Sequence, residues 1–310
     1  METRELDYDL PPELIAQSPA ERRDGSRLLV YTRATGAVAH HVFRDLPRLL
    51  PDETLCVVND SRVVAARIPI ERPRGEVLLL EHLGDGVWEA LARPTRRLRP
   101  GARHGQVELL EHLGEGRWRV RVQGEPAGQV PLPPYITQPL GDPERYQTVY
   151  AREQGSAAAP TAGLHFTAEL LAGLDVERVT LHVGLDTFRP LQADRVEDHA
   201  IHGERYEVAP DAWQRIEAAP RVLAVGTTTV RVLETMIRGA PLAGRTELFI
   251  TPGFEFRRVD HLLTNFHLPR STLLALVMAF AGIEETRRLY RLAIEEQYRF
   301  YSFGDAMLIH

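Results

Sequence analysis

Four short stretches carry the side chains able to do chemistry. "SAAAPTAGLHFT", residues 156–167, sets His165 among prolines, glycines and small residues, too apolar for a solvated loop and too broken for a long helix or strand. Pro160 and Gly163 restrict the backbone on either side, so an imidazole there keeps one orientation, as proton transfer requires. A buried histidine satisfied by its own loop is the plain alternative. "LAVGTTTVRVLE", 223–234, reads as a strand, then Gly226, then Thr227, Thr228 and Thr229 opening a helix that carries Arg231 and Glu234. Such a junction offers free backbone N–H groups and a positive dipole to a carboxylate or phosphate, although threonines at a helix start are more often caps. "LLTNFHLPRSTLLALVMAFAG", 262–282, crowds Asn265, His267 and Arg270 just before a helix capped by Ser271, which suits a functional turn and a plain capping turn equally. "HAIHGERYEV", 199–208, offers His199, His202 and Glu204. These would make a metal set on a helix, but Gly203 and the alternation after it favour a turn into a strand.

The elements that must position these residues fall into two patterns. "TLCVVND" reads as a buried strand, "RVTLHVG" as another, "PDAWQRIEAA" as a helix with proline at its start, "RVLAVG" as a strand and "TTTVRVLETMIRG" as a helix stopping at Gly239. Strand "TELFI" and helices "STLLALVMAFAG" and "EETRRLYRLAIEEQYRF" follow, so residues 1–66 and 151–310 are expected to form one mixed α/β domain. Between them lies an internal repeat. "EHLGDGVWEALAR", 81–93, and "EHLGEGRWRVRVQ", 111–123, each place a Gly-containing turn between alternating apolar runs, the signature of a β-hairpin. Residues 67–150 are therefore expected to be an inserted small antiparallel β-barrel, ending in the proline-rich "VPLPPYITQPLGDP".

Composition removes whole reaction classes. All 37 basic residues among the 310 are arginines, which excludes Schiff-base chemistry, covalent pyridoxal phosphate and a Walker A lysine. The single cysteine, Cys56, sits in the apolar run "LCVVN", which excludes disulfides within the chain and any CxxC zinc knuckle. Buried strand filler is its expected role. No apolar run reaches membrane-spanning length and "METRELDYDL" has no signal-peptide core, so a cytoplasmic protein with no membrane partner is expected. The net charge of −6 argues against indiscriminate nucleic-acid binding. The insert, however, holds 12 arginines against 11 acidic residues. "RPTRRLRPGAR", 93–103, gathers five of these arginines, Arg93, Arg96, Arg97, Arg99 and Arg103, between prolines. A stiff row of guanidinium forks suits phosphate oxygens, with a solvated hairpin loop as the bland reading.

The stretches quoted so far, together with "DYDLPPELIAQSP", "RDGSRLL", "VVNDSRVVAARI", "YQTVYA", "LHVGLDTFRP" and "YRFYSFGDAMLI", resemble the signature blocks of the S-adenosylmethionine:tRNA ribosyltransferase-isomerases of queuosine biosynthesis, in the same order over nearly the whole chain. The resemblance implies transfer and isomerisation of the ribosyl group of S-adenosylmethionine onto 7-aminomethyl-7-deazaguanine at the tRNA wobble position, giving epoxyqueuosine-tRNA, adenine and methionine. It implies no cofactor and no metal, S-adenosylmethionine serving as co-substrate, and a monomer is expected. It also implies His165, His182 and His267 as candidate catalytic residues. Asp60, Arg62, Thr161, Thr187, Arg189, Thr227, Thr228, Thr229, Arg231, Asn265 and Arg270 would contact substrate, and the five loop arginines tRNA. One departure is visible: Asp186 stands where the family pattern has glycine.

The implied chemistry fits the residue inventory. A sulfonium acidifies the neighbouring C5′ protons, so a general base can form an ylide; adenine leaves, the aminomethyl nitrogen attacks the opened sugar, and the ylide carbon closes on the carbonyl, expelling methionine as an epoxide forms. This needs a base, an acid for the adenine and a dry pocket. Two other classes stay open: a non-catalytic tRNA-binding module, and a metallohydrolase using His199, His202 and Glu204. An ordinary methyltransferase is disfavoured, because no Gly-rich loop follows the first strand as in a Rossmann unit.

Overall fold

A computed structural model of the chain describes residues 1–184, 190–201 and 203–310. Its strands are, in chain order, β1 Arg27–Thr32, β2 Ala37–Val42, β3 Thr54–Asn59, β4 Ser61–Val63, β5 Arg67–Ile70, β6 Gly75–Gly84, β7 Val87–Arg93, β8 Arg103–His104, β9 Val107–Gly114, β10 Arg117–Val122, β11 Glu153–Ser156, β12 Val176–Leu181, β13 Glu204–Glu207, β14 Arg221–Val225, β15 Ala243–Thr246, β16 His261–Asn265 and β17 Ala306–Ile309. The helices are α1 Leu46–Leu49, α2 Ala168–Ala172, α3 Pro210–Ala218, α4 Thr227–Met236, α5 Thr272–Ala281 and α6 Ile283–Glu295.

Nine strands form the main sheet in the order β15-β13-β12-β3-β14-β16-β17-β1-β2. β12, β3, β14 and β16 are mutually parallel, and antiparallel pairs flank them. The apolar runs of these strands are buried on both faces, because successive side chains point to opposite sides. Leu55, Val57, Val222 and Ala224 enter one hydrophobic cluster, and Cys56, Val58, Leu223 and Val225 the other. α3, α4, α5 and α6 contribute Ile216, Leu233, Leu274 and Leu289 to the first cluster, while Leu46 and Phe166 cover the second. Cys56 is fully buried, and burial pushes its thiol up to about 12.

The mixed α/β architecture agrees with the alternation in the sequence. "TELFI" differs: β15 stops at Thr246, because the next carbonyls leave the ladder and accept from the Arg231 guanidinium, at Thr246 O and Leu248 O, both 3.0 Å. The last helix also ends at Glu295, five residues before the end of the expected run.

Strands β5 to β10 form a six-stranded antiparallel, barrel-like sheet in the order β5-β6-β7-β10-β9-β8. Both repeat hairpins turn through two residues of positive φ, Asp85 (49°) and Gly86 (70°) in one, Glu115 (50°) and Gly116 (80°) in the other, the twist that tight hairpins favour. Trp88, Leu109, Trp118 and Val120 fill its separate core. Beyond it, Leu132, Ile136 and Tyr146 pack with Ala16, Leu164 and Phe303 of the main body. Among the described residues no helix is long and apolar enough to cross a membrane.

Candidate functional site

Four parallel strands deliver their carboxyl ends to one edge of the sheet, where ligands of open α/β folds collect. There Asn59 ends β3, Gly226 follows β14 and Asn265 ends β16. Against this edge lies a cleft of about 530 Å³ walled on one side by residues around the nine-stranded sheet and on the other by Leu91, Glu89 and Arg117 of the six-stranded sheet. A recess of about 40 Å³ shares Thr228 and Leu273 with it, and adds Thr161, Thr227, Asn265 and His267.

Gly226 takes φ +87° and is the N-cap of α4, with no side-chain cap. The threonines therefore do not cap. Thr229 Oγ1 donates to Val225 O (2.7 Å), and Thr228 Oγ1 accepts from Asn59 Nδ2 (3.3 Å). Gly226, Thr227 and Thr228 at the start of this helix line the recess, and a helix start has the polarity an anionic group would use. Arg231, one turn further on, lines the cleft in a buried ion pair with Glu204, whose other oxygen accepts from Gly184 N (3.0 Å).

His165 closes the short 3-10 helix Thr161–His165. That segment lies close to the sheet because position 163 is glycine: a Cβ there would stand 1.9 Å from the Tyr150 hydroxyl. The imidazole is buried, with its ring centroid 4.9 Å from that of Phe43. Its Nδ1 lies 2.7 Å from Ser26 Oγ and its Nε2 3.2 Å from Asn265 Nδ2. Burial, reinforced by Arg299 and Arg23, pushes its pKa down to about 3. Both ring nitrogens are thus within hydrogen-bond distance of protein groups, Ser26 and Asn265. His267 lines the recess; burial also lowers it to about 3, and its Nε2 is 2.7 Å from Thr264 Oγ1.

Asp60 and His182 go elsewhere. They line a second cavity, about 500 Å³, with Arg152, Glu153 and Arg178. Thr180 donates to Asp60 Oδ1 (2.7 Å), Arg152 pairs with Oδ2 (3.1 Å), and burial raises the carboxyl pKa. His182 stacks over Gly155, its Nδ1 without a hydrogen-bond partner among the described residues, and burial lowers its pKa. The separation follows from extended backbone: Asn59 points to Thr228 and its neighbour Asp60 away, as Val183 lines the recess and His182 does not.

Three further expected contacts are committed to other partners or lie apart. Arg270 Nε donates to Asp7 Oδ2 (2.7 Å) and Arg62 pairs with Glu144 (2.6 Å), neither lining the cleft or the recess. Thr229 is fully buried beneath α4. Thr187, Arg189, Asp186 and His202 lie outside the described residues. The metal set is not assembled by the neighbours that are described: His199 packs edge-on to Phe249, and the Glu204 carboxylate is taken by Arg231. The five arginines of residues 93–103 are all exposed on a loop anchored by buried Leu98. Thr95 of that loop approaches Gly116, the neighbour of Arg117 in the cleft wall, while none of the five arginines lines the cleft itself. Ser26, Asn59, Glu204 as an ion-pair partner and the insert's Glu89 and Arg117 were not anticipated as parts of the site; "RDGSRLL" and "VVND" held the first two without any periodicity to mark them.

Comparison with known proteins gives one concordant result. The model of the family described as "Queuosine biosynthesis protein" matches residues 3–309. The S-adenosylmethionine:tRNA ribosyltransferase-isomerase of Rubrobacter xylanophilus is 54% identical, the alignment covering 100% of this chain and 98% of that one. The enzyme of the same name from Symbiobacterium thermophilum is 48% identical, with both chains fully covered. The crystal structure of S-adenosylmethionine tRNA ribosyltransferase from Thermotoga maritima superposes with a TM-score of 0.59 at 38% identity, covering 99% of this chain and 100% of that one.

Proposed function

The chain belongs to the queuosine biosynthesis family of S-adenosylmethionine:tRNA ribosyltransferase-isomerases, and from that membership we propose that it moves and isomerises the ribosyl group of S-adenosylmethionine onto 7-aminomethyl-7-deazaguanine at a tRNA wobble position. The products are epoxyqueuosine-tRNA, adenine and methionine. One observation carries the reading: a cleft lies between the carboxyl-end edge of the parallel strands and Glu89, Leu91 and Arg117 of the six-stranded sheet, whose 93–103 loop exposes five arginines. A small co-substrate enters the recess by Thr161, Thr227, Thr228 and Asn265, while the phosphates of a tRNA meet Arg93, Arg96, Arg97, Arg99 and Arg103. In the same reading residues 67–150 act as the RNA-facing insert of an α/β body formed by 1–66 and 151–310, and the protein works as a cytoplasmic monomer without cofactor or metal.

Incubation with S-adenosylmethionine and precursor-bearing tRNA, followed by nucleoside mass spectrometry, tests the reading. Adenine and methionine should appear together, only with that tRNA, and unchanged in the presence of chelators. Methylated RNA with S-adenosylhomocysteine, or activity lost on metal removal and restored by zinc or iron, would refute it.

A further inference from the structure

We propose that His165 is a positioning residue for Asn265, and that Asn265 Oδ1 accepts a hydrogen bond from an amino group of S-adenosylmethionine; this rests on the functional reading above. Asn265 is 2% exposed and lines the recess. Its Nδ2 is 3.3 Å from the carbonyl oxygen of Asp305, an atom that only accepts, so the amide cannot be turned over without setting oxygen against oxygen. With the amide fixed, Nδ2 must also donate to His165 Nε2. His165 is then the Nδ1–H tautomer, donating to Ser26 Oγ. The lowered pKa of the ring agrees with this neutral form.

The amide oxygen is what remains. Asn265 Oδ1 is buried and has no hydrogen-bond partner among the described residues. A buried acceptor left unsatisfied costs about 1–3 kcal/mol, which a substrate donor removes on binding. The chain Ser26–His165–Asn265 thus fixes an unsatisfied acceptor on a residue of the recess lining, just below its surface and close to Thr227 and Thr228. A hydrogen-bond donor is the complementary group, and beside its ribose hydroxyls the ligand offers N–H donors that can be removed one at a time. S-adenosylmethionine has two: the 6-amino group of its adenine and the α-ammonium group of its methionine portion.

The test is equilibrium binding to the intact protein of S-adenosylmethionine and of two analogues, one with hydrogen in place of the 6-amino group and one lacking the α-amino group. One analogue should bind wild type about tenfold more weakly than S-adenosylmethionine, and Asn265→Ala should bind that analogue no worse than wild type does. Equal binding of all three ligands to wild type overturns the proposal and needs no variant. His165→Leu should weaken S-adenosylmethionine binding about tenfold, and His165→Gln, whose amide oxygen can replace Nε2 as acceptor, should recover most of that loss. Should both variants bind S-adenosylmethionine like wild type yet fail alike in single turnover, His165 is a proton-transfer group and the proposal falls. The functional reading fails separately, if wild type binds S-adenosylmethionine with this preference but releases no adenine and methionine with precursor tRNA.

Discussion

Among the described residues the buried charged side chains lie in the body around the nine-stranded sheet and none in the six-stranded sheet of residues 67–122, although the body carries exposed ion pairs as well. In the body, Glu234 is fully buried; its carboxylate accepts from the backbone N–H groups of Arg257, Arg258 and Val259 and pairs with Arg238 at 2.6 Å. Arg231 and Glu204, 8% and 10% exposed at their side chains, form a second desolvated pair at the cleft wall. In the insert, by contrast, Arg119–Glu111 (2.6 Å) and Arg67–Glu76 (2.8 Å) face solvent across neighbouring strands, over a core of tryptophan and aliphatic residues. Exposed pairs contribute little to stability, whereas breaking a buried one strands a charge in a medium that cannot solvate it. The body therefore uses part of its charge to hold a pocket in one shape, and the six-stranded sheet keeps its arginines at the surface.

The largest expected effect tests the body through pH. His165 and His267 both have folded pKa values pushed down to about 3, below the unfolded value near 6.5. Above that unfolded value neither state is protonated. As pH falls from about 6.5 towards 3 the unfolded chain binds protons that the folded chain refuses, and stability drops by about 1.4 kcal/mol per pH unit for each histidine. Denaturant titrations between pH 7 and 4 should show this slope, and the double variant His165→Gln, His267→Gln should lose it. Equal slopes in the two proteins would return the acid sensitivity to the carboxylates.

Breaking the cleft-wall pair comes next. Arg231→Met leaves Glu204 buried and unpaired and frees the carbonyls of Thr246 and Leu248, so a loss of about 3–5 kcal/mol is expected by chemical denaturation. A change under about 1 kcal/mol would mean that water reaches Glu204 and that the body is as wet at this wall as the insert is at its surface.

Gly163→Ala probes the close approach of the His165 segment. The added methyl would sit 1.9 Å from the Tyr150 hydroxyl and 2.9 Å from Thr148 Cγ2, and overpacking of this kind costs about 1–3 kcal/mol. Pairing it with Tyr150→Phe should recover part of the loss; a variant as stable as wild type would show that the segment shifts freely.

The smallest effect on the fold belongs to the insert. Replacing exposed Arg96, Arg97 and Arg99 by alanine should move stability by no more than about 0.5 kcal/mol. The same change should weaken tRNA binding and reduce the slope of log affinity against log salt by about 0.9 for each phosphate that is no longer neutralised. Unchanged salt dependence would leave the loop as a solvated hairpin connection and remove the contrast between the two regions.

Much of this architecture is written locally. Continuous apolar runs in residues 54–59 and 221–225 mark strands buried on both faces, proline at the first position of α3 marks its start, and Asp-Gly and Glu-Gly mark the two hairpin turns. Each of these signals concerns a backbone choice made within a few residues, and such choices survive in the sequence. The separation of Asp60 from Asn59 was equally available, since adjacent residues of an extended chain face opposite ways. What His165 does was not. Its Ser26 partner is 139 residues distant and its Asn265 partner 100, and only their convergence occupies both ring nitrogens and excludes the water that would have kept the imidazole basic. "TELFI" shows the same limit: its residues favour a strand, but the carbonyls of Thr246 and Leu248 are claimed by Arg231 from a helix. Periodicity and turn chemistry determined the elements, and the long-range competition for buried hydrogen bonds decided which polar groups are spent on the fold and which remain for a substrate.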